Sequence, residues 1–204
     1  MNTHDLSLPD HGAGAGAGAA DAGAGWPRRR VIRIAVAVAG CMPLTTLAQA
    51  AKANRPRVGD LLCSDETEKD PVAINAKDVL PGKPMLVYPF EAASRQIRND
   101  TRLNKLVLVR LAEADMDAET KPRAAGGVLA YSAMCTHQNC DVKTWIAADK
   151  SLVCFCHSSK FLPAEGARVV SGPAPRALPA IALALKGDQL VVAGTFSTNP
   201  GGTA

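Results

Sequence analysis

An all-β fold, an antiparallel sandwich or barrel with a subdomain inserted at about residues 133–175, is the class this sequence predicts. Three observations carry it. Short runs rich in Val, Leu, Ile and Tyr recur along the chain, set off by Gly, Pro and Asp. Two of these runs flank Lys186-Gly187-Asp188, a hairpin signal. Past residue 50 there is no stretch of about 20 apolar residues free of Pro and charge, so the body of the chain is read as soluble.

The expected strands fall at residues 58–62 (VGDLL), 85–88 (MLVY), 106–111 (LVLVRL), 127–131 (GVLAY), 151–153 (SLV), 181–185 (IALAL) and 189–193 (QLVVA). Many short strands with turn punctuation pack as an antiparallel sandwich or barrel. Segments 91–104 and 114–125 are polar, and the second (ADMDAETKPRAA) leaves room for a short helix. Of the 204 residues, 47% are apolar but only 4% aromatic, so the core must be built from Val, Leu, Ile and Ala.

Residues 1–50 read as a leader rather than fold material. Residues 12–25 are low-complexity Gly/Ala, too poor in apolar surface to order themselves. Pro27-Arg28-Arg29-Arg30-Val31-Ile32-Arg33 and an apolar stretch follow, ending in the small-x-small signal Ala48-Gln49-Ala50. The paired arginines resemble a twin-arginine export signal, which carries folded proteins and suits a cofactor inserted before export. Two other readings are an uncleaved membrane anchor and a lipidation box at Val38-Ala39-Gly40-Cys41. All three place the domain, residues 51–204, in the periplasm or on the periplasmic face of a bacterial inner membrane.

Without the leader's four bases and three acids, the remainder holds 19 bases and 16 acids, a net charge of +3. These charges are spread along the chain, whereas a nucleic-acid binder would cluster its bases.

Six cysteines are present: Cys41 in the leader, Cys63 alone, and four between 135 and 156. Past the leader, which holds His4 and His11, the histidines are His137 and His157, and both lie inside the cysteine cluster. The spacing reads Cys135-Thr136-His137-Gln138-Asn139-Cys140, a gap, then Cys154-Phe155-Cys156-His157-Ser158-Ser159. Two short loops each offering thiolate and imidazole are what a two-loop metal site needs. A turn at Ala147-Ala148-Asp149-Lys150, between Trp145 and residues 151–153, would make a hairpin that brings them together. Cys63 is read as a small buried hydrophobe, with an intermolecular disulfide as the sharper alternative.

Cys-x-His followed by Cys-x-x-His, with an additional cysteine in each loop, resembles the disulfide-bearing branch of the Rieske [2Fe–2S] proteins. The resemblance covers about residues 127–194. It implies that Cys135 and Cys154 ligate one iron, that His137 and His157 ligate the other, and that Cys140 and Cys156 form a disulfide clamping the loops. It also implies that Gly172-Pro173-Ala174-Pro175 is the loop covering the cluster's third side. Ser159 matches a serine that donates to a bridging sulfide, while Phe161 stands where quinol-oxidising members have a tyrosine donating to a ligand sulfur. Gln138 and Asn139 replace a Leu-Gly pair at those members' apolar tip; Phe155 replaces a proline and Ser158 a glycine.

A structural zinc is the plainest competitor for two Cys and two His, but zinc motifs usually pair like with like in short spacers. A Rieske oxygenase needs a further iron on two histidines and a carboxylate, and both histidines past the leader are already used. A soluble ferredoxin would lack the clamping cysteines and the leader. A chain with one cluster and no other ligand set is thus expected to be an electron-transfer subunit. It resembles the small Rieske subunit of arsenite oxidase, which implies as partners a periplasmic catalytic subunit and a cytochrome c or cupredoxin acceptor. The iron–sulfur subunit of a quinol–cytochrome c reductase is the alternative, with membrane association through the leader.

Overall fold

The computed structural model describes residues 54–65 and 69–202. The twin-arginine motif, the cleavage signal, Cys41, His4 and His11 lie outside them. The described residues hold eleven strands and five single-turn 3-10 helices, and no α-helix; no helix among them is long and apolar enough to cross a membrane.

Seven strands make the larger antiparallel sheet: β1 (Leu61–Ser64), β2 (Met85–Phe90), β3 (Leu106–Arg110), β4 (Val128–Ser132), β9 (Ala180–Ile181), β10 (Leu183–Lys186) and β11 (Gln189–Val192). Their order is β10-β11-β1-β2-β3-β4-β9. The two edge strands, β9 and β10, are separated in the chain by Ala182 alone. A sheet whose opposite edges are one residue apart must curl on itself, which leaves a nearly closed barrel and little free edge.

The run LVLV of β3 shows why this sheet sits in the middle of the molecule. Side chains on a strand alternate between faces. Leu106 and Leu108 enter the barrel core with Leu62, Val87, Ile181 and Leu190. Val107 and Val109 face the opposite core with Leu129, Tyr131, Leu152 and Phe161. Each such side chain is worth about 1.5–3 kcal/mol when taken out of water, so a strand apolar on both faces is fixed from both sides.

The second core is shared with a smaller antiparallel sheet of β5 (Thr144–Ile146), β6 (Ser151–Cys154), β7 (Ser159–Leu162) and β8 (Arg168–Ser171), in the order β5-β6-β7-β8. It lies in the chain between β4 and β9. Tyr131, 1% exposed, donates its hydroxyl to the Pro163 carbonyl at 2.6 Å and so joins the two sheets. On the far side, Arg98 grips Asp60 through Nε at 2.6 Å and Nη2 at 2.9 Å, with both side chains under a tenth exposed. This bidentate pair ties the polar 91–104 segment to the start of β1.

Several sequence expectations shift. The first strand starts at Leu61 rather than Val58, because Gly59 adopts φ +91° in a turn that leaves Val58 69% exposed. The expected strand 181–185 is split at Ala182, where the sheet passes from one edge to the other. The 114–125 segment forms no α-helix; short 3-10 turns at Glu113–Asp115 and Lys121–Arg123 replace it. Asp117 accepts from the Thr120 amide at 2.7 Å and competes with helical bonding, while Pro122 supplies no donor. Strands β7 and β8 carry no strong signal, since SKFL and RVVS are short and bear charges. Cys63 is wholly buried, and burial pushes its thiol up to about 11; the thiol donates weakly to the Tyr88 carbonyl at 3.5 Å. It behaves as a small hydrophobe, out of reach of an intermolecular disulfide.

Candidate metal centre

The first loop leaves β4 and closes on itself. The Cys135 amide donates to the Cys140 carbonyl at 2.8 Å, Asn139 N–H to the Cys135 carbonyl at 3.0 Å, and Val142 N–H to the Ala133 carbonyl at 2.8 Å. Asn139 takes φ +59°, the left-handed region that Asn enters more readily than other non-glycine residues. The result is a rigid turn that buries Cys135 (1% exposed) and brings His137 out to a half-buried position.

The second loop is the connection of the β6–β7 hairpin. Cys154 pairs with Ser159, so Phe155–Ser158 span the turn. Ser158 adopts φ +58°, keeping a glycine-like backbone despite its side chain. Cys154 is 1% exposed, whereas His157 is exposed and Phe155 is 72% exposed. The Thr144–Ile146 and Ser151–Cys154 strands form the hairpin that carries this loop back to the first, across the turn at 147–150.

The structure brings the four Cys/His side chains together as two pairs. The Nδ1 atoms of His137 and His157 face each other at 3.2 Å, their rings edge to face at 85°. The Cys135 and Cys154 thiols are also in contact. Burial, above all, raises the pKa of the Cys154 thiol; the amides of Cys156 and His157 point at its sulfur and act the other way. Such N–H···S contacts favour a thiolate once a cation is present.

Cys140 and Cys156 form a disulfide joining the two loops, with Cα atoms 6.5 Å apart. The sulfurs of Cys140, Cys154 and Cys156 cluster within 4.8 Å. Cys140 and Cys156 are consumed by their mutual bond, so Cys154 is the one of these three left to bind metal.

Residues 172–176 pack against the base of the second loop. Gly172 adopts φ +89°, and a Cβ there would overlap the Ser159 backbone. The Ser159 hydroxyl, wholly buried, accepts from the Ala174 amide at 3.1 Å. Its own proton finds no acceptor among the described residues. Pro173 is exposed beside Gly172. Phe161 is wholly buried, two residues along β7 from Ser159 and so on the same face as Ser159 and its partner Cys154.

Residues that the sequence reading left out also support the first loop. Thr136 Oγ1 donates to the Arg176 carbonyl at 2.7 Å, and Asp141 is held by Arg102 at 2.6 Å and Lys105 at 3.3 Å. Gly202 lies against the His137 carbonyl. None of these contacts is local in sequence, so no motif could have announced them.

Two exposed loops thus carry two buried thiols, two facing imidazoles and a disulfide clamp, with Gly172 packed on Ser159 beside them. The family described as Rieske [2Fe-2S] domain matches residues 72–182, just over half of the chain. This chain belongs to that family. Among the relatives of the Rieske chain is a Haloferax mediterranei protein named as a respiratory nitrate reductase Rieske subunit. It is 37% identical over 63% of this chain and 57% of that one, so the match spans little more than half of the relative. The cytochrome bc1 complex Rieske iron–sulfur subunit of Streptomyces lividans is 31% identical over 59% of this chain and 71% of its own length. Among solved structures, the cyanobacterial plasma membrane Rieske protein PetC3 of Synechocystis PCC 6803 shares 30% identity over 43% of this chain and 75% of that one, with a TM-score of 0.32.

The Rieske family carries one [2Fe–2S] cluster, and this chain is a Rieske [2Fe–2S] domain protein. The zinc reading falls with that finding. The donor chemistry fits the cluster: two thiols on one pair of positions and two imidazoles on another, carried by the same two loops, with two amides at the Cys154 sulfur.

The Cys140–Cys156 clamp yields a prediction. Replacing both residues by serine should lower stability by about 3 kcal/mol, the cost of releasing a loop of this length. It should also speed loss of visible absorbance on warming, while the reduced protein at low temperature keeps its EPR signal. Thermal denaturation and bleaching rates check both effects.

Proposed function

We propose that this Rieske chain is the exported electron-transfer subunit of a periplasmic oxidoreductase. It would take single electrons from a catalytic subunit and pass them to a cytochrome c or cupredoxin. The observation that carries this reading is the facing pair of imidazoles at the protein surface, opposite two buried thiols. Cys135 and Cys154 would hold one iron, and His137 and His157 the other. When bound, the cluster supplies a one-electron carrier whose imidazole ligation sets its potential at roughly −150 to +300 mV rather than near −400 mV.

The protein's own residues do the rest. Cys135, Cys154, Ser159 and Phe161 exclude water from the thiolate side, each 1% exposed or less. His157 is exposed and His137 half-buried, so the imidazole side is where a partner can approach. The histidines past residue 50 are both spent on this centre, which leaves none for a substrate-transforming iron site. Export is supported by the twin-arginine-like leader and by the disulfide, a bond that persists in oxidising compartments.

Gln138 is exposed at the tip of the first loop, and a polar tip suits a protein partner better than a membrane quinone. The stretch Tyr131-Ser132-Ala133-Met134-Cys135-Thr136-His137 resembles the arsenite oxidase small subunit, and the relative at 37% identity is named for a respiratory nitrate reductase. A second reading, the iron–sulfur subunit of a quinol–cytochrome c reductase, draws on Phe155. At 72% exposed, that ring gives the second loop an apolar tip. Relatives named as cytochrome bc1 subunits point the same way.

Isolation of the native complex separates the two. Copurification with a large catalytic subunit, and no cytochrome b, is expected; copurification with a cytochrome b would overturn the proposal.

Phe161 offers a second test. Its ring lies on the strand face that also carries Ser159 and Cys154, and it has no hydroxyl to give a ligand sulfur. A hydrogen bond to sulfur offsets charge on the reduced centre. The Phe161→Tyr variant is therefore expected to show a higher midpoint in an EPR-monitored redox titration, and an unchanged or lower value would contradict that role.

A further inference from the structure

The segment 197–202 packs across the back of the first loop, far from it in sequence. Its near end is fixed to β9: Ser197 N–H donates to the Ala180 carbonyl at 2.8 Å, and the Ala180 amide to Ser197 Oγ at 3.0 Å. The Arg176 guanidinium then holds three of its oxygens, Thr198 Oγ1 at 3.1 Å and the carbonyls of Asn199 at 2.8 Å and Gly201 at 2.6 Å. Pro200 and Gly201 are buried. At its far end the Gly202 amide donates to Asn139 Oδ1 at 2.7 Å.

This last contact needs an absence of side chains. A Cβ on Gly202 would overlap the His137 carbonyl oxygen and come within 3.1 Å of that of Thr136; one on Gly201 would come within 2.5 Å of Asn139 Oδ1 and 3.0 Å of Leu103 Cδ2. Two adjacent glycines thus let the strap lie flat on the peptide of His137. The bonds close a ring: Asn139 to Gly202, the strap to Arg176, and the Arg176 carbonyl to Thr136, next to His137 in the first loop.

Asn139 serves this ring in two ways. Its φ of +59° is a conformation that glycine would adopt at no cost, so the turn does not require a side chain. The side chain present supplies the acceptor that fastens the strap.

We propose that Asn139 is a positioning residue for His137, acting through the 199–202 strap that it holds against the His137 peptide. The inference rests on the assignment of His137 as an iron ligand. The strap fixes the backbone from which the imidazole projects and keeps water off the His137 peptide behind it. Solvent exposure is one of the factors that set the potential of such clusters. Water admitted there stabilises the more negatively charged reduced state, so loosening the strap raises the midpoint.

The test uses the full chain with its cluster and three variants: Asn139→Gly, which keeps the left-handed turn and deletes the acceptor, Gly202→Ala, which lifts the strap, and the double substitution. One neutral hydrogen bond is worth about 1 kcal/mol, or roughly fivefold in an opening equilibrium. The Gly202 amide should accordingly exchange hydrogen about fivefold faster in Asn139→Gly. The midpoint should rise in each single variant, and the double variant should rise no further than the larger single effect, because both substitutions break one contact.

An unchanged or lowered midpoint would overturn the proposal even if exchange quickens, since a merely structural contact would leave the potential alone. Strictly additive shifts would overturn it as well. If Gly202→Ala fails to take up iron, Asn139→Gly decides by the same two readouts. A parent protein without a cluster would instead defeat the underlying ligand assignment, whereas a loaded parent with an indifferent strap would defeat this inference alone.

Discussion

Iron ions shared between two loops demand that the loops hold still. The proposed donors sit at positions 135, 137, 154 and 157, on loops that are exposed at their tips and have no helix or barrel strand of their own. Backbone fixed by sequence neighbours alone would leave four donors free to drift, at a large cost in conformational entropy on binding metal. The structure meets this constraint by bonding the loops to each other through Cys140 and Cys156 and by growing the second loop from a short hairpin. The clamp sits outside the donor set, so the loops are pre-ordered without using up a ligand.

Around that clamp the environment is uneven by design of the packing. Cys135 and Cys154 are part of the core that continues through Phe161 and Leu152 to Val107 and Tyr131. The histidines point the other way, toward the surface. Low dielectric on the sulfur side and water on the imidazole side give the centre a protected half and an accessible half. The proposed electron transfer needs both, since a carrier must be shielded yet come close to its partner.

Much of this was legible in the sequence, for physical reasons that differ by element. Strands β2, β3, β4 and β11 could be found because their apolar runs are fixed by burial and bounded by turn residues. The first strand was displaced because Gly59 turns the chain where Val58 looked like a strand start. Strands β7 and β8 escaped notice, being short, charged and held mainly by pairing with neighbours. The Cys/His cluster stood out in the sequence because iron chemistry restricts residue types at close spacing. The strap was not: Asn139 and Gly202 are 63 positions apart, and their contact is a backbone amide meeting a carboxamide over two glycines. Asn139 stood out as a departure at the loop tip, but nothing local could say what it held.

The central claim is that both imidazoles bind iron while two thiolates complete the set. Labelling the chain with 15N-histidine and recording electron–nuclear double resonance on the dithionite-reduced protein tests this directly. Two distinct histidine nitrogens coupled to the reduced centre are the result the account predicts. A protein that takes up iron yet shows one such coupling or none would contradict it.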